Sequence, residues 1–252
     1  MDQLTDAALA SRLAAAAGEL LVQLRDASPS ASDLVPSELR AAGDRVSQRY
    51  LAERLAETRP GDAVLSEEAA DAPGRLTAER VWIVDPLDGT REFAEGRSDW
   101  AVHVALWCED DLAAGAVALP AIGTVLSTAA PPSAIAEGNG HLRIAVSRTR
   151  APALAGRVAD RLGGELVPLG SAGYKVAAVV LGEVDAYLHA GGQYEWDSAA
   201  PVAVARAAGL HTSRLDGSPL QYNQPEPYLP DLVVCRQELA EALLTAIREN
   251  LS

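Results

Sequence analysis

Residues 82–90 have the sequence Trp82-Ile83-Val84-Asp85-Pro86-Leu87-Asp88-Gly89-Thr90, which predicts an apolar strand that ends in two acids three positions apart. Pro86 fixes one backbone torsion and Gly89 permits an unusual one, so the turn after the strand is expected to be rigid. Thr90 is a residue type that begins helices, and we expect a short helix through Phe93. The stretch therefore predicts a strand, a tight turn and a helix in succession.

This turn carries a set of oxygen ligands. The carboxylates of Asp85 and Asp88 flank the backbone carbonyl of Leu87. Hard oxygen ligands of this kind suit Mg²⁺, and the exposed N–H groups at the start of a helix suit phosphate. The combination predicts metal-assisted phosphoryl chemistry. A pair of acids at this spacing is also typical of capped turns whose carboxylates are simply solvated.

Two further acidic segments lie where a strand ends or a helix begins. Ser66-Glu67-Glu68 follows an apolar segment, and Glu195-Trp196-Asp197-Ser198 precedes a segment with helical character. Taken singly, the two glutamates are typical of solvated surface groups, and Asp197 is typical of a helix N-cap. Together with the turn at residues 85–88, they predict one site whose ligands come from three distant segments.

Composition limits the classes of partner. The chain has 252 residues, of which 48% are hydrophobic, and this is enough for one large domain or two small lobes packed together. Its 35 acidic and 21 basic residues give a formal net charge of −14. This charge argues against nucleic acid polymers and anionic membranes as partners, since both bind basic surfaces. A small anionic substrate would be repelled as well, unless local cations reverse the field.

The cysteines and the N-terminus favour a reducing cytoplasm as the location. Cys108 and Cys235 each lie in an apolar, strand-like segment, and we expect two buried thiols rather than a disulfide framework or a zinc site. The first residues are acidic and lack the pattern of a signal peptide. We find no apolar run that approaches the ~20 residues needed to span a bilayer.

The first part of the chain is predicted to begin with helices and to continue with strands. Spaced leucines predict an amphipathic helix over residues 5–26, and a loop over 28–37 is expected to separate it from a second helix. That helix is expected to begin near Gly43-Asp44 and to end before Pro60. Strands are expected at residues 63–66, 81–84, 100–107, 112–119 and 122–128, with a hairpin turn at 109–111.

The second part alternates strands with helices, which predicts an α/β lobe. Strands are expected at residues 143–146, 166–169, 185–188 and 232–235, and helices at 153–162, 174–181, 198–208 and 237–248. We expect an N-terminal α+β lobe, residues 1–135, that carries most metal ligands. A C-terminal α/β lobe, residues 136–252, is expected to carry Asp197 and the residues that set substrate specificity. Residues 131–141 are expected to connect the lobes.

The three acidic segments resemble the inositol-monophosphatase-like superfamily of lithium-sensitive phosphatases. Within it, Asp88-Gly89-Thr90-Arg91-Glu92-Phe93 and Glu195-Trp196-Asp197 are most similar to the CysQ-type 3′(2′),5′-bisphosphate nucleotidases. The resemblance implies a layered α/β/α/β/α sandwich of the inositol monophosphatase and sugar phosphatase type. It also implies hydrolysis of the 3′-phosphate of adenosine 3′,5′-bisphosphate to AMP and phosphate, in the context of sulfate assimilation. Family members are often homodimers.

The same resemblance implies the metal ligands. Glu67, Asp85 and the Leu87 carbonyl would hold the Mg²⁺ that activates water, and Asp85, Asp88 and Asp197 would hold the Mg²⁺ that stabilises the leaving oxygen. The family also recruits a third, weaker Mg²⁺ near Glu67, and Li⁺ inhibits it. Two divalent cations would invert the local field for a phosphate, which answers the problem posed by the net charge.

Asp44 and Thr90 are the catalytic residues that the resemblance implies. The Asp44 carboxylate would accept a hydrogen bond from the Thr90 hydroxyl, and the pair would orient the attacking water. The family usually has a Thr three residues before this Asp, whereas this chain has Ala41. An alternative for Asp44 is the N-cap of the second helix.

Substrate contacts are implied for residues of both lobes. Lys175 is expected to meet the second phosphate as a point charge. Arg150 stands where the family segment usually ends in His, and His189 stands where some relatives have Arg; His103, His141 and His211 are expected to be structural. The full expected set of substrate contacts is Glu67, Asp88, Gly89, Thr90, Arg148, Ser171, Lys175 and Asp197.

Two other classes of function compete with this interpretation. A haloacid-dehalogenase-type phosphatase needs a nucleophilic Asp two residues before Asp88, and this chain has Pro86 there. A non-enzymatic Mg²⁺- or Ca²⁺-binding module is compatible with the acidic loops, although an EF-hand would place its ligands on one twelve-residue loop. Within the phosphatase class, inositol monophosphate and fructose 1,6-bisphosphate are the alternative substrates.

Overall fold

The computed structural model describes residues 4–27, 36–132 and 141–250. Two long helices come first, α1 (Asp6–Ala27) and α2 (Pro36–Thr58). Helix α1 matches the predicted span. Helix α2 begins earlier than predicted, because Pro36 suits the first turn of a helix, where its missing N–H costs nothing. Asp44 therefore lies inside α2 and is not its N-cap, and of the predicted loop at 28–37, residues 28–35 lie outside the described residues.

Five strands form the first sheet: β1 (Ala63–Ser66), β2 (Arg80–Asp88), β3 (Ala101–Cys108), β4 (Asp111–Leu119) and β5 (Thr124–Ser127). They are arranged in chain order, with β1 and β2 parallel and the other pairs antiparallel. The predicted hairpin turn joins β3 to β4, and Glu109 and Asp110 have φ of 54° and 64°. Two successive positive φ values are typical of the tightest hairpin turns.

The second sheet has five strands: β6 (Arg143–Ser147), β7 (Glu165–Leu169), β8 (Ala186–Tyr194), β9 (His211–Ser213) and β10 (Tyr228–Cys235). Their spatial order is β7-β6-β8-β10-β9, with β6 parallel to both of its neighbours and β10 antiparallel to both of its own. The sequence did not predict β9, which has only three residues.

The helices of the second part are α4 (Ala153–Leu162), α5 (Ala172–Val180), α6 (Glu195–Ala207) and α7 (Ala240–Asn250), while α3 (Thr90–Ala94) follows β2. Short 3₁₀ helices occupy Pro73–Thr77, Pro120–Ile122 and Gln237–Leu239. Each predicted helix is present in this part, and α5 and α6 begin two and three residues before their predicted starts.

The elements stack in five layers, and the predicted α/β/α/β/α sandwich is confirmed. Helices α1 and α2 cover one face of the first sheet through Trp82 and Val84. Val81 and Ile83 point to the other face, where α5 and α6 lie between the two sheets. Helices α4 and α7 cover the outer face of the second sheet. The boundary predicted between the lobes, at residues 135 and 136, lies outside the described residues.

Helix α1 differs in one respect from the expectation drawn from hydropathy. By length and composition alone it is apolar enough to cross a membrane. Its buried residues, which include Leu9, Leu13 and Leu21, pack in a core with the first sheet and α2. This packing is that of a core helix. Of the two cysteines, Cys235 is buried as expected, Cys108 is only half-buried, and both are free thiols.

Candidate active site

The turn after β2 has the rigid geometry that its sequence predicts. The pairing of β2 with β3 is interrupted between Asp85 and Asp88. Gly89 has φ of 86° and caps α3, and a side chain there would be strained and would also crowd Trp100. The N–H of Leu87 donates to Asp85 Oδ1 at 3.0 Å. These contacts fix the direction in which the Asp85 carboxylate points.

Three carboxylates converge beside this turn. Carboxylate oxygens of Asp85, Asp88 and Asp197 all lie within 4.8 Å of one another. Asp197 comes from the first turn of α6, where its Oδ2 accepts a hydrogen bond from the N–H of Tyr194 at 2.6 Å. It is the third helical residue, and its carboxylate is part of a capping box rather than a simple N-cap. Glu67 lines the same cleft from the end of β1.

The electrostatics of the cluster indicate a place for cations. Burial and then the charges of Glu67, Asp88 and Asp197 raise the pKa of Asp85 well above its usual range. Burial and then neighbouring acids raise the pKa of Glu67 to about 7, and burial and then Asp88 raise that of Asp197 to about 7. Although Glu67 is exposed as a residue, its carboxyl end reaches Asp85 inside the cleft. An all-oxygen set of mutually repelling carboxylates fits Mg²⁺.

Asp88 is held by the first turn of α5. Its Oδ2 accepts hydrogen bonds from Ser171 Oγ at 2.5 Å and from the N–H of Gly173 at 2.6 Å, and its Oδ1 accepts one from the N–H of Ala172 at 3.2 Å. The start of α5 therefore binds a carboxylate of the protein itself. The hydroxyl of Ser171, an expected substrate contact, already donates its hydrogen bond to Asp88.

Lys175 lies one turn further along α5 and lines the cleft. Its Nζ donates to the backbone carbonyls of Gly170, at 2.8 Å, and of Ser171. Burial lowers the pKa of this ammonium to about 8, against the opposing effect of Asp88 and other acids. An ammonium has three donors. The two carbonyls account for two of these donors, and Nζ also lies 5.2 Å from the centroid of the Tyr187 ring.

Basic residues line the same cleft. The cleft has a volume of about 330 Å³, and its lining includes Arg40, Arg91, Arg148 and Arg150. Arg148 Nη2 donates to Glu92 at 2.7 Å and to Glu95 at 2.8 Å. Within the described parts of the chain, the guanidinium groups of Arg40, Arg91 and Arg150 have no hydrogen-bond or ion-pair partner. Gly89, Thr90 and His189 also line the cleft.

The structure places Thr90 in the cleft beside the acids but does not join it to Asp44. Thr90 lines the cleft, whereas Asp44 is not among its lining residues. In the described residues, no hydrogen bond links the Thr90 hydroxyl to the Asp44 carboxylate. Burial, followed by the charge of Glu68, raises the pKa of Asp44 to about 6. The water-orienting role of this pair stays a prediction.

His103 is the site residue that the sequence interpretation missed. It was expected to be structural, but it is fully buried beneath the acids, with Nε2 3.3 Å from Asp88 Oδ2 and Nδ1 3.0 Å from the Trp196 carbonyl oxygen. Burial lowers the pKa of its ring. The available signal was that His103 is a polar residue within an otherwise apolar strand, and only the pairing of β3 with β2 sets it opposite Asp85. His211 instead bonds Ser213 in β9, and His141 is exposed.

Comparison with known families decides the classification, because the model of the inositol monophosphatase family matches residues 2–252. The chain belongs to the inositol monophosphatase family. Solved structures of this family share its fold. The CysQ protein of Bacteroides thetaiotaomicron superposes with a TM-score of 0.77 at 25% identity, over 91% of this chain and 96% of that one. Mycobacterium tuberculosis SuhB gives a TM-score of 0.74 at 24% identity, over 97% and 96%.

Two groups of curated relatives bear on the activity of this chain. It is 54% identical to the 3′-phosphoadenosine 5′-phosphate phosphatase of Mycobacterium leprae, over 98% of this chain and 95% of that protein. It is 31% identical to the 3′(2′),5′-bisphosphate nucleotidase CysQ of Escherichia coli K12, over 86% and 94%. The resemblance noted from the acidic segments is therefore confirmed, while the roles of individual site residues stay predictions.

Proposed function

We propose that this chain is a magnesium-dependent phosphatase that removes the 3′-phosphate of adenosine 3′,5′-bisphosphate and gives AMP and phosphate. The observation that carries the proposal is the convergence of Asp85, Asp88 and Asp197 within 4.8 Å in a cleft that arginine side chains also line. The names of the relatives from Mycobacterium leprae and Escherichia coli support the substrate class.

The proposed mechanism assigns the acids to two ions. Glu67, Asp85 and the Leu87 carbonyl would hold one Mg²⁺, and Asp85, Asp88 and Asp197 the other, so that Asp85 bridges them. When bound, the two ions supply a lowered pKa for water and positive charge for the leaving oxygen. A third, weaker Mg²⁺ beside Glu67 belongs to the same proposal.

Protein groups would then place the water and the phosphates. Thr90 and Asp44 orient the attacking water through their hydroxyl and carboxylate. Asp44 has a raised pKa of about 6, so it is largely ionised, and able to accept a hydrogen bond, near pH 7. The second phosphate lies toward Lys175 and Arg148, where the free arginines of the cleft add positive charge. This charge opposes the net charge of −14 where the substrate binds.

The proposal extends to the setting of the enzyme. Li⁺ is expected to inhibit by replacing the leaving-group Mg²⁺ with too little charge. We further propose a cytoplasmic homodimer that clears a by-product of sulfate assimilation. The two free thiols, Cys108 and Cys235, are compatible with a reducing compartment.

A phosphate-release assay tests the proposal. The substrates are adenosine 3′,5′-bisphosphate, inositol monophosphate and fructose 1,6-bisphosphate, each with Mg²⁺, with Mg²⁺ plus Li⁺, and with excess chelator. We expect the bisphosphate nucleotide to have the highest kcat/KM, and the activity to need Mg²⁺ and to fall with Li⁺. Full activity in chelator, or a higher kcat/KM for inositol monophosphate or fructose 1,6-bisphosphate, would contradict the proposal.

The assay can also separate direct attack by water from a covalent route. Both routes would place ¹⁸O from labelled water in the released phosphate, so the deciding measurement is an acid quench during a single turnover, in which direct attack by water should leave no phosphate covalently bound to the protein. A trapped phosphoaspartate would instead favour the covalent mechanism of the haloacid dehalogenases.

A further inference from the structure

His103 lies where three elements of the site meet. It is on β3, opposite Asp85, and none of its side chain is exposed. One edge of the ring faces the β2–α3 turn at Asp88, and the other faces the first turn of α6 at Trp196. These two turns carry carboxylates that we assign to the same ion. A side chain in contact with both turns can set the distance between them.

The hydrogen bond to α6 is defined by its acceptor. The Trp196 carbonyl oxygen can only accept, so the ring must donate from Nδ1 across the 3.0 Å contact. Trp196 immediately precedes Asp197 in α6. Because the carbonyl is fixed by a donor rooted in the first sheet, the backbone that carries Asp197 is fixed relative to that sheet.

The other edge of the ring is in close contact with α5. A Cβ placed on Gly173 would lie 1.9 Å from His103 Nε2, so the ring rests directly on the Cα of this residue. Gly173 in turn donates its N–H to Asp88 Oδ2 at 2.6 Å, the same oxygen that lies 3.3 Å from Nε2. The ring therefore packs against both Asp88 and α5, the helix whose N–H groups hold Asp88.

We propose that His103 is a positioning residue that fixes the separation of the Asp88 and Asp197 carboxylates, and so the geometry of the leaving-group metal site. This rests on the metal ligands of the proposed function. Mg²⁺ demands near-octahedral oxygen ligands at about 2.0–2.1 Å, so a small shift between the two carboxylates is costly. Groups that orient metal ligands in this way typically change metal affinity or activity by about 10–100-fold when replaced.

The test compares two substitutions of His103, one that keeps a hydrogen-bond donor near the position of Nδ1 and one that removes it. In His103→Asn the amide nitrogen is attached to Cγ, as Nδ1 is, and can donate to Trp196; His103→Leu fills similar space without a donor. Isothermal titration of the resting protein with Mg²⁺, without substrate, gives the affinity. We expect about 10–100-fold weaker binding in His103→Leu, and tighter binding in His103→Asn than in His103→Leu, because Asn restores the donor to Trp196 but not the ring edge that packs on Gly173.

Leu106→Ala provides the matched control. Leu106 is buried on the same strand but packs in the core on the α1 side of the sheet. Its truncation should lower the thermal midpoint and leave Mg²⁺ affinity unchanged. Wild-type affinity in His103→Leu, or an equal loss of affinity in Leu106→Ala, would overturn the proposal. If His103→Leu does not fold, His103→Ala takes its place; wild-type affinity in that variant, or no difference between it and His103→Asn, would overturn the proposal.

The outcome is distinguishable from failure of the proposed function. If the wild-type protein binds no Mg²⁺ and hydrolyses no bisphosphate nucleotide, both proposals fall together. If the wild-type protein binds Mg²⁺ and His103→Leu binds it equally well, only the role of His103 falls.

Discussion

The Asp85 carboxylate is buried in a position that is unfavourable for a lone charge but suitable for a metal ligand. Burial of this carboxylate raises its pKa, and the charges of Glu67, Asp88 and Asp197 raise it further. A structural carboxylate in such a place would ordinarily be paired with a cation of the protein. The nearest ammonium in the cleft, that of Lys175, is turned toward two backbone carbonyls instead. The arrangement leaves the carboxylates for metal ions.

The first prediction distinguishes a proposed metal ligand, Asp85, from a neighbouring acid that is not a ligand, Glu68. Asp85→Asn should remove nearly all turnover, because it takes one negative charge from both proposed metal spheres at nearly constant shape, and added Mg²⁺ should recover little. Without Mg²⁺ the same variant should be at least as heat-stable as the wild-type protein, because one source of repulsion is gone. Steady-state kinetics and thermal unfolding, each with and without Mg²⁺, provide the measurement.

Glu68→Gln is the control for this experiment. Glu68 is next to a proposed ligand, but its side chain is exposed and does not line the cleft. Its turnover should stay within about twofold of the wild-type value, since surface changes of this kind are close to neutral. Near-normal turnover in Asp85→Asn would contradict the metal assignment.

The second prediction concerns recognition of the second phosphate. Lys175→Ala should reduce kcat/KM for adenosine 3′,5′-bisphosphate by about tenfold to a hundredfold more than for inositol monophosphate, because a buried charge-assisted hydrogen bond contributes ~1.5–3 kcal/mol. Arg161→Ala, an exposed arginine on α4, is the control and should change neither substrate. An equal loss on both substrates would mean that Lys175 supports α5 and the cleft wall rather than the second phosphate.

At the scale of single elements, the first turn of α5 is the most constrained part of the site. Its N–H groups bind Asp88, its Lys175 faces the cleft, and Gly173 lies against His103. A helix start normally offers its N–H groups to an external anion or to a capping side chain. Here the anion is a carboxylate from another element, so the position of α5 and that of the metal ligand are set together.

The third prediction compares two glycines in helices. Gly173→Ala should lower stability by about 1–3 kcal/mol, because the added Cβ would overlap the His103 ring and overpacked cores cost this much. It should also weaken Mg²⁺ binding, since Asp88 moves with α5. Gly156→Ala in α4 meets open space and should raise stability by up to about 1 kcal/mol. Urea unfolding and Mg²⁺ titration measure both; an unchanged Mg²⁺ affinity in Gly173→Ala would contradict the coupling.

Elements with a strong local pattern could be predicted from the sequence, and those set by distant contacts could not. The continuous apolar run at residues 81–84 placed β2, and the leucine spacing placed α1. The start of α2 was misplaced because the Gly-Asp pair at 43–44 is a start signal that tertiary packing overrides: Gly43 is buried against Leu87 and Phe93. His103 was missed because its partners, Asp88 and Trp196, are brought to it only by the pairing of β2 with β3 and by the packing of α6.

At the scale of the whole molecule, the site joins parts of the fold that are far apart in sequence. Asp85 and Asp88 end a strand of the first sheet, whereas Asp197 comes from a helix between the sheets. Arg75, which lies between β1 and β2 in the sequence, also links distant parts of the chain. Its buried guanidinium donates to Asn223 Oδ1 and to the Gln224 carbonyl, both at 2.8 Å. Glu195, two residues before Asp197, accepts from the N–H groups of the same two residues.

The fourth prediction is a dependence of stability on pH in the metal-free protein. The free energy of unfolding falls with rising pH wherever the folded state binds more protons than the unfolded state. Folding raises the pKa of Glu67 and of Asp197 to about 7, and that of Asp44 to about 6. These acids should therefore lower stability from about pH 4 to pH 7. Burial lowers the pKa values of His103, His189 and His211, which opposes this decline up to about pH 6.5. In chelator, the thermal midpoint should be at least about 2–4 °C lower at pH 7.5 than at pH 5.5.

Mg²⁺ and one variant serve as controls for this effect. Mg²⁺ competes with protons for the carboxylates, so its stabilisation should be largest at pH 7.5. Asp85→Asn removes one of the raised acids and should flatten the pH dependence in chelator. A midpoint in chelator that rises between pH 5.5 and 7.5 would contradict the raised pKa values of the cluster.

The position of α5 and α6 between the two sheets has a consequence for synthesis on the ribosome. The strands of the first sheet are complete at Ser127, but the helices that cover their second face end only at Val180 and Ala207. The nascent sheet therefore emerges with α1 and α2 on one side and an uncovered apolar surface on the other. Such surfaces are where chaperones bind and where aggregation begins. The same late arrival of α6 delivers Asp197, so the nascent chain gains its last metal ligand only as that surface is covered.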